Sequence, residues 1–357
     1  MTQAAEYFER WDASAVPLPG HIRTSPDRLR GMMLGLAIGD SLGNISEAMN
    51  PPQRMAEYGE ITDYLPNPHA GGRPMGTPSD DTQLAFWTLE SLLRHRRLDP
   101  DDLAHAFCSS PIYGIGDAMS AFVRAYRDQD RPWYKAGQPS AGNGALMRIA
   151  PVLLPHLPEP SRHLWEDVIV ATALTHNDES AVVSSVGFVG LLCACLACPS
   201  EQAPAGEWWL DTFLQSARSV ETGEMYEPRT RQIEFRGNVS DFVERFVRPA
   251  VQNRTPVLEA CERWYSAAYL LETVPAALII LASHGHDPEE AIVRAVNDTR
   301  DNDTVAAIVG AAVGALHGET KLPERWRKGL LGRTRAHDDG HVCELLDEAL
   351  QVFPPTT

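Results

Sequence analysis

The stretch 25–43 sets the hardest condition on the fold. Ser25-Pro26-Asp27 is a strong helix start: a hydroxyl cap, a proline in the first turn and an acid near the positive end of the dipole. Leu29, Met32, Met33, Leu36, Ala37 and Asp40 then recur at helical spacing. Gly35, Gly39 and Gly43 fall at every fourth position, so one side of the helix is thin and other backbone can approach it closely. Asp40 falls on the apolar face, an awkward place for a carboxylate without a partner.

Two acidic clusters lie more than 200 residues apart, Ser79-Asp80-Asp81-Thr82 and Asp301-Asn302-Asp303-Thr304. Each ends in a hydroxyl residue and leads into a helix-like apolar run. Acids before a helix serve as caps, because carboxylates accept free N–H groups and suit the dipole. Carboxylates packed this tightly also repel one another unless a cation sits among them, and hard oxygen ligands suit Mg²⁺, Mn²⁺ or Ca²⁺. Both readings stay open for either cluster alone. If the fold brings the two together, the result is a binuclear site built from both ends of the chain.

The rest of the chain reads as helices. One is expected over 82–97, and others over 100–109, 117–128, 143–156, 164–174, 178–198, 207–218, 239–252 and 257–271. A further helix follows Val274-Pro275, and Asp287-Pro288-Glu289-Glu290 starts another with cap, proline and acids in order. The segment 304–317 is a small-residue helix whose Ala307, Gly310, Ala311 and Gly314 mark a face for tight packing. Residues 48–79, rich in Pro, Gly and Asn, read as a long loop or flap. Alternating strand patterns are scarce, so the expected fold is all-α. A loosely structured arm over 1–24 precedes a single domain over 25–350, with a polar surface excursion at about 219–240. No internal repeat is evident.

Composition narrows the partners. A formal net charge of −17 over 357 residues disfavours non-specific binding to nucleic-acid phosphates or anionic membranes. The six cysteines show neither a secreted disulfide framework nor paired zinc spacing. The N-terminus lacks a basic region followed by an apolar core, so a cytoplasmic location is expected. Residues 180–200 are uncharged for about the length of a bilayer span, but acidic flanks and small residues favour a buried helix. No membrane association is expected, and a monomer is.

Two glycine segments suit a ligand. Gly142-Asn143-Gly144 precedes Met147-Arg148, where glycines let a ligand reach the backbone and N–H groups suit a phosphate; an ordinary Asn-capped turn is the plainer reading. Gly114-Ile115-Gly116-Asp117 is a weaker example. Thr175-His176 lies in a helix-to-helix connection, where binding residues often sit, though a lone His there also serves structure.

In this order, Gly39-Asp40-Ser41-Leu42-Gly43 with Glu47, Ser79-Asp80-Asp81-Thr82, Gly142 to Arg148, Thr175-His176 and Asp301 to Thr304 with Ala306, Ala307 and Gly310 resemble the ADP-ribosylglycohydrolase family. The likeness spans roughly residues 28–318. It implies a compact, all-helical orthogonal multi-helix domain carrying two Mg²⁺ or Mn²⁺ ions in a cleft. By position, Ser79, Asp80 and Asp81 serve one half of the metal site, and Asp301, Asp303 and Thr304 the other. Glu47 matches a mobile acidic residue, and Asp40 a supporting one. Gly114, Gly116 and Asp117, with Ser140, Gly142, Asn143 and Gly144, match stretches that cradle the diphosphate and distal ribose. His176 falls at a substrate-contacting position, and Tyr269 resembles an aromatic that packs near the nucleotide.

Three departures bear on the acceptor. Ser79 stands where Thr is common, Thr299-Arg300 replaces a glycine pair, and Asn302 replaces a smaller residue. Arg300 is placed to face the acceptor or a phosphate, or to brace Asp301. The implied reaction is water attack on the anomeric carbon of the proximal ribose, which frees ADP-ribose from a modified acceptor. Glu47 is the first choice for proton transfer and Asp301 the second. The loop after Glu47 is suited to close over the substrate. Protein arginine is the first acceptor expected, with serine, O-acetyl and nucleobase linkages as alternatives. A non-catalytic ADP-ribose-binding protein is another reading, and a two-metal phosphoesterase follows from the acids if the resemblance is set aside.

Overall fold

The computed structural model describes residues 10–199 and 204–355. The fold is all-α: among the described residues the only paired strands are Pro66–Asn67 and Arg73–Pro74, antiparallel with Pro66 opposite Pro74. Seven helices carry the site, numbered in chain order: α1 (Pro26–Gly43), α2 (Pro51–Tyr58), α3 (Asp80–His95), α4 (Glu179–Ala197), α5 (Leu270–His284), α6 (Pro288–Asp298) and α7 (Asn302–His317).

The Ser25 hydroxyl oxygen accepts the Arg28 N–H and caps α1. From there α1 runs antiparallel to α7, and the pair meets through its smallest residues. Gly31 faces Gly314, Gly35 faces Gly310, Gly39 faces Ala306 and Gly43 faces Asp303. A Cβ at Gly35 would land on the Gly310 carbonyl, and one at Gly310 on the Gly35 carbonyl. The helices therefore touch backbone to backbone, closer than side-chain packing allows. Everything in α1 from Gly31 onward is buried, as is α7 from Asn302 to Leu316.

By length and composition alone α4 is long and apolar enough to cross a membrane; 83% of that stretch is buried inside the fold. It packs against the helices Arg162–Ala173 and Trp208–Ala217.

Several segments differ from expectation, each for a physical reason. The supposed flap at 48–79 contains α2, started by a reciprocal cap in which Asn50 accepts the Gln53 N–H and Gln53 accepts the Asn50 N–H. Arg54 of α2 is fully buried and donates to the carbonyls of Met49, Val296, Asn297 and Thr299. The expected helix at 143–156 is two 3-10 turns, Leu146–Arg148 and Ala150–His156, the second holding Pro151 and Pro155, which lack the N–H that a helix uses. The helix expected over 239–252 widens into a π-turn at Val243–Val247, just before Pro249.

The helix expected over 257–271 stops at Trp264. Tyr265 and Ser266 take positive φ (76° and 35°), and α5 begins at Leu270 and runs through Pro275 rather than after it. Tertiary bonds claim the intervening backbone. Ala268 O accepts the Asn143 N–H, Ala141 O accepts the Leu270 N–H, and Ser266 O accepts the N–H groups of Arg300 and Asp301.

Of the N-terminal arm, residues 10–24 lie on the body of the molecule, with Trp11, Val16 and Ile22 buried. Residues 1–9 and Ser200 fall outside the described residues. The excursion is irregular over 221–238 but is fastened down. The buried Glu179 carboxylate accepts the N–H groups of Thr222, Gly223 and Glu224, and Arg229 pairs with the buried Glu272.

Candidate active site

The α1–α7 seam delivers Asp40 to the start of α3. Both of its oxygens are engaged there. Oδ1 accepts the Ser79 hydroxyl at 2.6 Å, Oδ2 accepts the N–H and hydroxyl of Thr82, and the Ser79 N–H lies 3.0 and 3.1 Å from the two oxygens. The carboxylate on the apolar face has found its partners. With its proton on Asp40, the Ser79 hydroxyl keeps its lone pairs free for a cation among the acids beside it.

Those acids form two overlapping groups. One oxygen each from Asp40, Asp81 and Asp303 lie within 4.8 Å of one another, and so do oxygens from Glu47, Asp301 and Asp303. Asp303 belongs to both, because Gly43 lets the first turn of α7 sit against the end of α1. Thr304 donates its hydroxyl to Asp81 Oδ2 at 3.3 Å, joining the first cluster to the second. Asp80 is half-buried, with its carboxylate against Gly114, which adopts positive φ.

Burial raises the carboxyls of Asp40, Asp80, Asp81, Asp301 and Asp303 above their ordinary range. Repulsion adds to this at Asp303, which feels Asp81 and Asp301. Glu47 reaches solvent, yet partial burial and the charges of Asp301 and Asp40 raise it as well. Among the described residues Asp81 Oδ1 is buried without a hydrogen-bond partner. No protein donor offsets its desolvation. That orphaned oxygen, the crowded carboxylates and the flanking hydroxyls fit a hard divalent cation.

A second group of residues meets the acids from the other side. Asn143 donates to Asp301 Oδ2 and to the Thr273 hydroxyl. Gly142 pairs with Tyr269 along the backbone, and Ser140 Oγ accepts the Gly142 N–H. The His176 ring packs against Gly144 so closely that a Cβ there would lie 3.0 Å from it. Tyr269 carries the Arg229 guanidinium over its ring at 5.4 Å. Gly116 and Asp117 are exposed at the start of the helix Asp117–Val123.

Sequence reasoning missed several supports. Asn302 donates to Gly43 O, Ser46 Oγ and Val296 O, tying the turn before Glu47 to α7. Arg54 fastens the segment after Glu47 to the end of α6, so the base of the supposed flap is clamped. Nothing local marks either role, since every partner is distant in sequence or a carbonyl. Arg300 lies over the Tyr265 ring at 4.5 Å, and its backbone rather than its side chain braces this turn.

The sequence model of the family described as ADP-ribosylglycohydrolase matches residues 22–355. The chain belongs to the ADP-ribosylglycohydrolase family. Among similar proteins, ADP-ribosylarginine hydrolase Tri1 of Pseudomonas putida (strain GB-1) is 26% identical over 91% of this chain and 80% of its own. ADP-ribosylhydrolase ARH3 of Homo sapiens is 25% identical over 86% of this chain and 90% of its own. A solved structure titled as an ADP-ribosylglycohydrolase-related protein complex superposes with a TM-score of 0.67 at 27% identity, covering 93% of this chain and 99% of that one. This ADP-ribosylglycohydrolase is thus an enzyme, a hydrolase of ADP-ribosyl bonds, and its acids lie where both ends of the family match converge.

Proposed function

We propose that this ADP-ribosylglycohydrolase is metal-dependent and frees ADP-ribose from a modified acceptor, protein arginine first, by water attack at the anomeric carbon of the proximal ribose. The observation that carries the proposal is the convergence of the two acidic clusters on Asp303, beside the orphaned oxygen of Asp81. Ser79, Asp80, Asp81, Asp301, Asp303 and Thr304 would hold two Mg²⁺ ions, with Mn²⁺ as the alternative. Bound there, such ions supply positive charge for ribose hydroxyls and lower the pKa of water.

The protein's own groups divide the remaining work. Glu47 moves the proton: its carboxyl is raised and reaches solvent, so it can take a proton from water and return it. Asp301 suits this less, because Asn143 occupies one of its oxygens and Ser266 holds its N–H. Asp40 keeps Ser79 and Thr82 in register, and the Gly142–Gly144 loop, His176 and Tyr269 line the place for the rest of the nucleotide. The arginine acceptor draws support from the name of the Tri1 relative.

The test is a panel of arginine-, serine-, O-acetyl- and nucleobase-linked ADP-ribose, analysed by mass spectrometry with and without Mg²⁺. Free ADP-ribose from the arginine substrate, only with the metal present, is the expected result. Release from a different linkage alone would overturn the acceptor, and equal release in excess chelator would overturn the metal dependence.

A further inference from the structure

We propose that Arg148 and Thr175 are positioning residues that fix His176 as an Nε2–H donor, aimed at the substrate across the Gly142–Gly144 loop. The inference rests on the reading that ADP-ribose occupies this cleft. Arg148 is wholly buried behind the histidine, its guanidinium over the Phe107 ring at 4.6 Å. Its Nη2 donates to Ala171 O and, at 2.7 Å, to the Thr175 hydroxyl oxygen. That hydroxyl lies 2.9 Å from His176 Nδ1.

The direction of the chain follows from what each group can do. A guanidinium only donates, so Thr175 Oγ1 accepts from Arg148 and keeps its one proton to give. Nδ1 is the acceptor within reach. The opposite tautomer would aim an Nδ1–H at the same oxygen and leave the threonine proton without a taker. The imidazole proton therefore sits on Nε2, which makes no hydrogen bond among the described residues and lies 3.1 Å from where a Cβ of Gly144 would be. The backbone on either side of the ring is pinned as well: Gln138 N–H donates to Thr175 O, and Asn177 N–H to Gln138 O. Burial, and then the charge of Arg148, hold the ring neutral by lowering its pKa to about 3. His176 is thus a fixed donor and not a proton shuttle.

The test uses the full-length protein with ¹⁵N-labelled histidine, His176 being assigned through H176Q. Long-range ¹H–¹⁵N spectra at neutral pH should show His176 with an unprotonated Nδ1 and a protonated Nε2. An Nδ1–H tautomer or an imidazolium would overturn the proposal. T175V should release this tautomer preference and weaken ADP-ribose binding about tenfold, the worth of one hydrogen bond to a polar ligand group. T175S, which keeps the hydroxyl, should restore both. T175V with an unchanged spectrum and unchanged affinity would also overturn it. If the wild-type protein fails to bind ADP-ribose, the substrate half falls together with the functional reading, whereas the spectrum still decides the tautomer.

Discussion

Asp303 belongs to both acidic groups, and Glu47 is the most exposed carboxylate among them. Their roles separate accordingly. Glu47→Gln removes the proton carrier and leaves the buried acids in place. Its kcat is expected to fall by about 10²–10⁴-fold with ADP-ribose affinity nearly unchanged. Steady-state kinetics beside calorimetry would check this, and near-normal turnover would remove Glu47 from proton transfer. The raised carboxyls also set a pH dependence. Groups that hold protons above their ordinary range must release them when a cation binds, so Mg²⁺ affinity should fall as the pH is lowered. Calorimetry in buffers of different ionisation enthalpy should detect the released protons; binding without release would contradict the assignment. The acids and their hydroxyl neighbours were legible as residue types. The partners of Asp40, at Ser79 and Thr82, were not, and neither was the reach of Arg54 and Asn302, because each bond spans tens to hundreds of residues.

At the scale of elements, the seam between α1 and α7 brings the clusters together. Gly35→Ala forces a methyl into the Gly310 carbonyl, and backbone cannot give way as a flexible side chain would. The variant should lose about 1–3 kcal/mol of stability in denaturant titration. On an exposed helix the same change would gain up to about 1 kcal/mol. The sign alone therefore tests the seam, and an unchanged or raised midpoint would refute it. Each stripe of small residues is visible in the sequence, but their antiparallel register is not, since no local signal links Gly35 to Gly310. The break after Trp264 was hidden for a related reason. Its positive-φ turn is held by backbone partners at Asn143, Arg300 and Asp301, none of them near it in the chain. The start of α2 was different: Asn50-Pro51-Pro52-Gln53 carries a cap and proline, and its surrounding glycines and prolines masked it.

For the molecule as a whole, a cation at this site would join the start of α3 to the start of α7, elements more than 200 residues apart in the chain, so binding and folding would be linked. A ligand at 100 times its Kd stabilises the folded state by about 2.7 kcal/mol. Mg²⁺ should raise the melting temperature of the wild-type protein and have little effect on Asp303→Ala. The family match spans nearly the full described chain, residues 22–355. The most direct test is a Mn²⁺ titration followed by the electron paramagnetic resonance signal of the free ion, comparing wild type with Asp303→Ala. Two ions bound per wild-type chain, with both lost in the variant, is the predicted result. Undiminished binding by Asp303→Ala would show that the two acidic clusters do not form one metal site.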